Sequence, residues 1–165
     1  MKYYFKFKSF VPLIIIFAFI IVFSVIASWQ RQVFTYQSMM LDFMAGFFLV
    51  FGAFKVAKLS AFAEAYQMYD IVAKRSKLYA HIYPFIEIAL GLAFLLRFEV
   101  MVAAWITLAL MLVNSLGAYR GIRDKKVLMC ACLGTVFKLP MSYVSLGEDL
   151  LMIVMAAMIA FGPAL

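Results

Sequence analysis

Five apolar stretches, separated by polar or basic segments, dominate the pattern of hydrophobic and polar positions along the chain. A transmembrane helix needs about 20 mostly apolar residues, because lipid cannot hydrogen-bond to open backbone groups. The pattern therefore predicts five membrane-spanning helices. In chain order they cover approximately residues 10–27, 42–56, 81–96, 100–119 and 146–162.

Polar residues at the starts of two spans indicate where those helices begin. Asp42 is predicted to cap the second span, because a short acidic side chain can accept hydrogen bonds from the first backbone N–H groups. Ser145 followed by Glu148 forms a capping-box pattern, which predicts the start of the last span.

The connection between the second and third spans, residues 59–77, is too polar to cross a membrane. Within it Phe62, Tyr66, Tyr69 and Ala73 recur at helical spacing and form an apolar stripe. This pattern predicts an amphipathic helix in the inner membrane interface. Such a helix serves either to shield the bundle or as a lid or partner surface.

Composition and charge support a membrane protein and give it an orientation. Of the 165 residues 68% are hydrophobic, whereas soluble domains are nearer half apolar. Thirteen of the fifteen Lys and Arg residues lie in the amino-terminal segment and in the second and fourth connections. Positive segments stay cytoplasmic, so we expect a bacterial inner membrane protein with a cytoplasmic amino terminus and an outer carboxyl terminus. The basic residues follow the spans, which argues against nucleic-acid binding.

The first apolar stretch has two interpretations. Lysines followed by an apolar run ending in Val25-Ile26-Ala27 are also typical of a cleavable signal peptide. The run is longer than the usual signal core of about 7–15 residues, which favours a retained anchor. We therefore expect one membrane domain, residues 1–165, with an anchor helix at 10–28 and a bundle at 42–162.

The only two cysteines, Cys130 and Cys132, lie in an apolar run, residues 127–137, that is too short to span. We interpret this run as a re-entrant or interfacial loop. Two thiols at this spacing can share one soft metal ion or exchange one pair of electrons. Cytoplasmic thiols are normally reduced, so a transient exchange pair or a metal site fits better than a permanent disulfide. Two small buried hydrophobes are the remaining interpretation.

Acidic residues in or near the spans are further candidates for the site. Glu87 lies within the third span, where an ionisable side chain is costly. It is therefore expected to carry a proton, to bind a cation, or to pair with a nearby tyrosine or lysine. Gly91 continues its helical face and allows another helix to approach. Glu148 and Asp149 are adjacent at the predicted start of the last span. They suit either helix capping or, together with the two cysteines, a cation site.

Three segments resemble the DoxX/MauE group of small bacterial membrane proteins. They are the stretch from Asp42 to Lys55, the pair Phe62-Ala-Glu-Ala-Tyr66 and Tyr69-Asp70, and Tyr83-Pro-Phe-Ile-Glu87 with Leu90-Gly91. The resemblance covers about residues 42–162 and implies an all-α, four-helix core to which the first span is added. It also implies a redox association, since MauE-type members are linked to maturation of a disulfide-rich exported dehydrogenase. Lys55, Glu87 and Gly91 match the shared core, whereas the family pattern does not fix the cysteine pair.

Three functions remain open from the sequence, and it does not decide whether the protein is an enzyme. The leading hypothesis is a redox-associated membrane protein in which Cys130 and Cys132 exchange electrons with a thiol-redox partner, assisted by Glu87. The second is binding or transport of a soft ion such as Cu(I) or Hg(II), with Glu148 and Asp149 as supporting ligands and a metal chaperone as partner. The third is a non-catalytic membrane scaffold. Phosphate-binding glycine loops are absent, so the chain does not drive transport by ATP alone.

Overall fold

A computed structural model describes residues 11–123 and 141–162, with only the backbone for Pro12, Tyr69 and residues 141–144. These residues form six α-helices and no β-strand. The helices are α1 Val11–Gln30, α2 Tyr36–Ala57, α3 Leu59–Tyr69, α4 Lys77–Leu95, α5 Val100–Arg123 and α6 Met141–Ala160. Four of them, α1, α2, α4 and α5, are long and apolar enough to cross a membrane. The predicted helical membrane bundle is confirmed.

The sixth helix has the length of a span as well. α6 contains 20 residues, which at about 1.5 Å per residue extends roughly 30 Å, the thickness of the apolar core of a bilayer. It packs along α5, and Trp105 near the start of α5 meets Phe161 just beyond α6, with ring centroids 5.0 Å apart. The two helices are therefore antiparallel.

Neighbouring helices in the rest of the bundle are antiparallel too. Phe17 of α1 contacts Phe43, Phe47 and Phe51 of α2, with ring centroids about 6 Å apart. α2 in turn packs most extensively against α4. Both ends of α3, the carboxyl end of α2 and the amino end of α4 consequently lie at one end of the bundle, which we call the α3 end.

Glycines set the close approach of α2 and α4. A Cβ atom on Gly91 would lie 2.9 Å from Leu49 Cγ and 3.1 Å from the Leu49 backbone nitrogen. A Cβ on Gly52 would lie 2.8 Å from Ile88 Cγ1. Side chains at these positions would push the helix backbones apart, so the prediction that Gly91 allows a close helix approach is confirmed.

The two predicted helix starts are wrong. α2 begins at Tyr36, so Asp42 lies nearly two turns inside the helix and does not cap it. Its carboxylate accepts hydrogen bonds from Arg31 and Arg97 instead. Hydrogen bonds between charged groups are stronger than those to the backbone N–H groups that a cap would bind. α6 begins at Met141, which places Ser145 in its second turn and Glu148 and Asp149 further inside. The apolar spacing around these residues continues the helix past the capping-box pattern.

α3 confirms the short helix predicted in the second connection, although its stripe faces the protein. Phe62 and Tyr66 are fully buried, and the Tyr66 ring lies 4.7 Å from the ring of Tyr83 in α4. The helix ends at Tyr69, before Ala73, because Asp70 is extended and its Oδ1 accepts the backbone N–H of Ala73 at 2.7 Å; Ala73 is nevertheless buried in the same cluster as Phe62 and Tyr66. α3 thus lies on α4 and shields its buried face.

The predicted cysteine loop lies outside the described residues, and so do Cys130 and Cys132. The chain enters that segment after Arg123 at the end of α5 and leaves it at Met141, the start of α6.

Candidate functional site

A buried ion pair joins α2 and α4 near the α3 end. Lys55, in the last turn of α2, places its Nζ 2.5 Å from Oε1 of Glu87 in the middle of α4. The side chains are 13% and 2% exposed, respectively. Charges at this depth are costly unless they are paired, and within a membrane span they are by default candidates for function. The pair is therefore the centre of the candidate site.

Two aromatic rings flank the ammonium group of Lys55. Lys55 Nζ lies 5.4 Å from the ring centroid of Phe62 in α3 and 5.2 Å from that of Tyr83 in α4. A cation over an aromatic face gains about 0.5–2 kcal/mol, more where water is excluded. Helix α3 therefore contributes directly to the surroundings of the ion pair.

Asn114 of α5 links three helices beside the pair. The Tyr66 hydroxyl of α3 donates to Asn114 Oδ1 at 2.6 Å, and Asn114 Nδ2 donates to the Tyr83 hydroxyl of α4 at 2.7 Å. All three side chains are buried. Hydrogen bonding between helices is a typical role for an asparagine deep in an apolar span.

Asp149 brings α6 into the same cluster. It is 6% exposed, and Asn114, Lys55 and Glu87 are all close enough to act on it electrostatically. Among the described residues, neither Asp149 Oδ2 nor Glu87 Oε2 has a hydrogen-bond partner. Lys55 thus lies near two buried carboxylates, those of Glu87 and Asp149, and each carboxylate has an oxygen that can accept a hydrogen bond or a proton.

The sequence-predicted residues divide between this cluster and the rest of the chain. Glu87 is buried and paired as expected of an intramembrane acid, and Asp149 joins it, whereas Glu148 is only partly buried. Residues 11–123 and 141–162 contain no group of three or more His, Cys, Asp or Glu side chains placed to hold a metal ion. The metal-ligating and thiol roles of Cys130 and Cys132 remain predictions.

A second polar cluster at the opposite end of the bundle was not predicted. Asp42, which is fully buried, accepts hydrogen bonds from Arg31 and from Arg97, the latter at 2.9 Å, and its Oδ2 accepts one from the Ser28 hydroxyl at 3.2 Å. We call these four residues the arginine clasp. It ties the end of α1 to α2 and to the α4–α5 turn.

The backbone at Arg97 shows how the clasp is held. Its φ of 56° is left-handed, a conformation at which glycine usually ends a helix. The Phe98 N–H bonds to the Ala93 carbonyl at 2.9 Å, which closes the Schellman motif at the end of α4. From this position Arg97 Nη2 also donates to the Ser38 carbonyl at 3.0 Å. The arginine therefore adopts a strained backbone because its side chain bridges to α2.

One sequence signal could have revealed the clasp. Arg31 and Arg97 are the only basic residues on the side predicted to face outwards, and each closely follows a span. Two isolated cations beside a single intramembrane acid, Asp42, indicate pairing.

A match to a protein family covers the buried ion pair and part of the arginine clasp. The family model described as methylamine utilisation protein MauE matches residues 38–162. The chain belongs to the MauE family. The match covers most of α2 and all of α3 to α6, and it includes Lys55, Glu87, Asn114 and Asp149. Helix α1 precedes the matched region, although its Arg31 completes the clasp around Asp42. Neither the curated proteins nor the solved structures contained a match to the chain.

Proposed function

We propose that this MauE-family protein is a redox-associated membrane protein of methylamine utilisation, in which Cys130 and Cys132 exchange electrons with a partner thiol protein. The observation that supports a chemical role is the buried Lys55–Glu87 pair with Asp149 beside it. A purely structural bundle would gain more from apolar residues there, because a buried ion pair seldom adds net stability.

The position of the helices supports a link between the thiols and the buried cluster. Cys130 follows Arg123 by seven residues, and Cys132 precedes Met141 by nine. The end of α5 and the start of α6 both belong to the α3 end of the bundle. Asn114, which hydrogen-bonds to Tyr83 beside Lys55, and Asp149, on which Lys55 and Glu87 act electrostatically, lie on these same two helices.

The proposed chemistry is a two-electron exchange. One thiolate attacks a disulfide of the partner and forms a mixed disulfide, and the second thiolate then displaces the reduced partner and leaves a Cys130–Cys132 disulfide. The reverse sequence oxidises the partner. Glu87 is the intramembrane group proposed to hold or relay a proton during the exchange.

The proposed orientation places this chemistry on the cytoplasmic side of a bacterial inner membrane. Six of the seven exposed basic residues within 11–123 and 141–162 lie at the α3 end, namely Lys58, Lys74, Arg75, Lys77, Arg120 and Arg123, whereas Arg31 lies at the opposite end. Positively charged segments remain in the cytoplasm, so the amino terminus is proposed to be inside and the carboxyl terminus outside.

Trapping of mixed disulfides tests the proposal. Removal of the resolving thiol should stabilise a covalent complex with the partner, so one of the variants Cys130→Ser and Cys132→Ser should accumulate it after acid quenching of cells. The double variant should accumulate none. A covalent complex that persists in the double variant, or the absence of a complex in both single variants, would refute thiol exchange at this pair.

The purified double variant also tests the soft-metal alternative. A site built on the two thiols predicts one Cu(I) or Hg(II) per reduced chain, lost in Cys130→Ser/Cys132→Ser and weakened in Asp149→Asn. Stoichiometric binding of this kind, without mixed disulfides, would replace the redox proposal with metal handling.

A further inference from the structure

Helix α3 covers the buried ion pair at the α3 end of the bundle. Its Phe62 ring lies against Lys55 Nζ, and Phe62, Ala63 and Tyr66 are almost fully buried on the side that faces the bundle. The opposite side of α3 carries exposed residues, among them Glu64. Helix α3 therefore covers part of Lys55, whose side chain is 13% exposed.

Both ends of α3 are non-helical junctions. Lys58 alone separates α2 from α3; its φ of −129° and ψ of 47° are outside the helical range, and its side chain makes no capping hydrogen bond. At the other end Asp70 is extended, with φ of −72° and ψ of 142°, and a turn follows. A short helix between two such junctions can rotate by changing a few backbone angles, which is the geometry of hinged elements.

Tyr66 carries the polar attachment of α3 to the bundle. Its hydroxyl donates to Asn114 Oδ1 at 2.6 Å, and its side chain is also a hydrogen-bond neighbour of Tyr79 in α4. The helix also contacts α4 through ring stacks, such as Phe62 on Tyr83 at 6.2 Å. Ring stacks are individually weak and form again readily after separation.

We propose that α3 is a lid over the Lys55–Glu87 pair. Lys58 is its hinge, and the hydrogen bond from Tyr66 to Asn114 is its latch. With the lid closed, the Lys55 side chain is 13% exposed and that of Glu87 only 2%. With the lid open, more water reaches the pair from the α3 end and Glu87 can exchange a proton with it. The purpose of this lid rests on the proposed function, whereas the experiment below tests the lid alone.

The rate of chemical labelling of Lys55 measures how well the closed lid keeps water and reagent away from this side chain. A membrane-impermeant acylating ester reacts with lysines that water reaches, and mass spectrometry gives the rate at each site. In protein reconstituted in nanodiscs, Lys55 should label much more slowly than Lys58, three residues away and exposed. Loss of the latch in Tyr66→Phe should raise the rate at Lys55 about fivefold, the effect of one net hydrogen bond, and leave Lys58 unchanged.

Matched controls separate the lid from general destabilisation. Tyr119→Phe removes a hydroxyl from an exposed tyrosine of α5 and should leave both rates unchanged. The Cys130→Ser/Cys132→Ser background should give the same labelling result, so failure of the thiol proposal and failure of the lid are distinguishable. Equal labelling of Lys55 and Lys58 in the unaltered protein, or no rise in Tyr66→Phe, would overturn the lid.

Amide hydrogen exchange of the unaltered protein provides a second test that needs no variant. A lid predicts that residues 59–69 exchange as one unit and at least about tenfold faster than residues 83–94 of α4, because α3 opens without unfolding the bundle. Exchange of α3 as slow as that of α4 would also overturn the proposal, whatever the variants show.

Discussion

Replacement of the two members of the buried ion pair, singly and together, tests the energetic description of the site. Lys55 pairs with Glu87 and acts electrostatically on Asp149, and no other lysine or arginine within 11–123 and 141–162 pairs with Glu87. Lys55→Met therefore removes the described cation that both buried carboxylates share, whereas Glu87→Gln leaves a largely buried lysine that still has Asp149 nearby. The lysine variant should be the less stable of the two.

The magnitudes follow from the burial of the pair. Removal of one partner of a buried ion pair costs about 3–5 kcal/mol, and we expect Lys55→Met to lie in this range. Glu87→Gln keeps a hydrogen-bonding side chain of the same shape and a second acid near Lys55, so its cost should be lower, about 2 kcal/mol. The double variant should be more stable than the sum of the two costs predicts, with a coupling of at least about 1 kcal/mol.

The assay is reversible unfolding in mixed micelles, in which increasing fractions of dodecyl sulfate unfold the helices and the free energy of unfolding is obtained by extrapolation. Lys58→Met and Glu64→Gln are matched controls, since both residues are exposed and close to the site. Additive costs in the double variant, or a larger cost for Glu87→Gln than for Lys55→Met, would refute the shared-lysine description.

Three further predictions concern stability in the same assay. Gly91→Ala should lower the free energy of unfolding by about 1–3 kcal/mol, because its Cβ would meet the Leu49 backbone. Gly147→Ala should raise it by about 0.5–1 kcal/mol, because its Cβ would meet nothing within 4 Å. The opposite order would contradict the glycine contact between α2 and α4. Asp42→Asn should lower the free energy of unfolding by about 3 kcal/mol and weaken the attachment of α1 to the bundle. The weaker attachment should appear as faster amide hydrogen exchange of residues 20–30. Unchanged exchange would argue against the arginine clasp. Glu99→Gly should stabilise by about 1 kcal/mol, because Glu99 is exposed with a φ of 43°, and a loss of stability would show that its side chain has a role.

The spans could be predicted because hydrophobicity and length alone decide whether a segment crosses lipid. Their ends could not, as Asp42 shows. A short acid before an apolar run is a good cap in isolation, but here the helix extends to Tyr36 because two arginines, distant in sequence, take the carboxylate. Local rules for helix caps fail where a tertiary ion pair offers a stronger partner.

The candidate site shows the same division. The cost of an acid inside a span predicts a role for Glu87, and the resemblance to the family core indicates Lys55 as a second residue of interest. That Lys55 contacts Glu87, and that Asn114 and Asp149 join them from α5 and α6, required the packing of four helices. The spacing of polar residues along one helix carries no information about which neighbouring helix supplies a partner.

The sequence by itself therefore determined an all-helical membrane protein, the intramembrane acid Glu87 and the charge asymmetry, since each follows from the transfer of side chains between water and lipid. Only the tertiary structure decided that α3 lies over the ion pair and that α1 is joined to the bundle by the arginine clasp. These features depend on contacts between residues far apart in the chain, whose energies become favourable only after the helices have packed together.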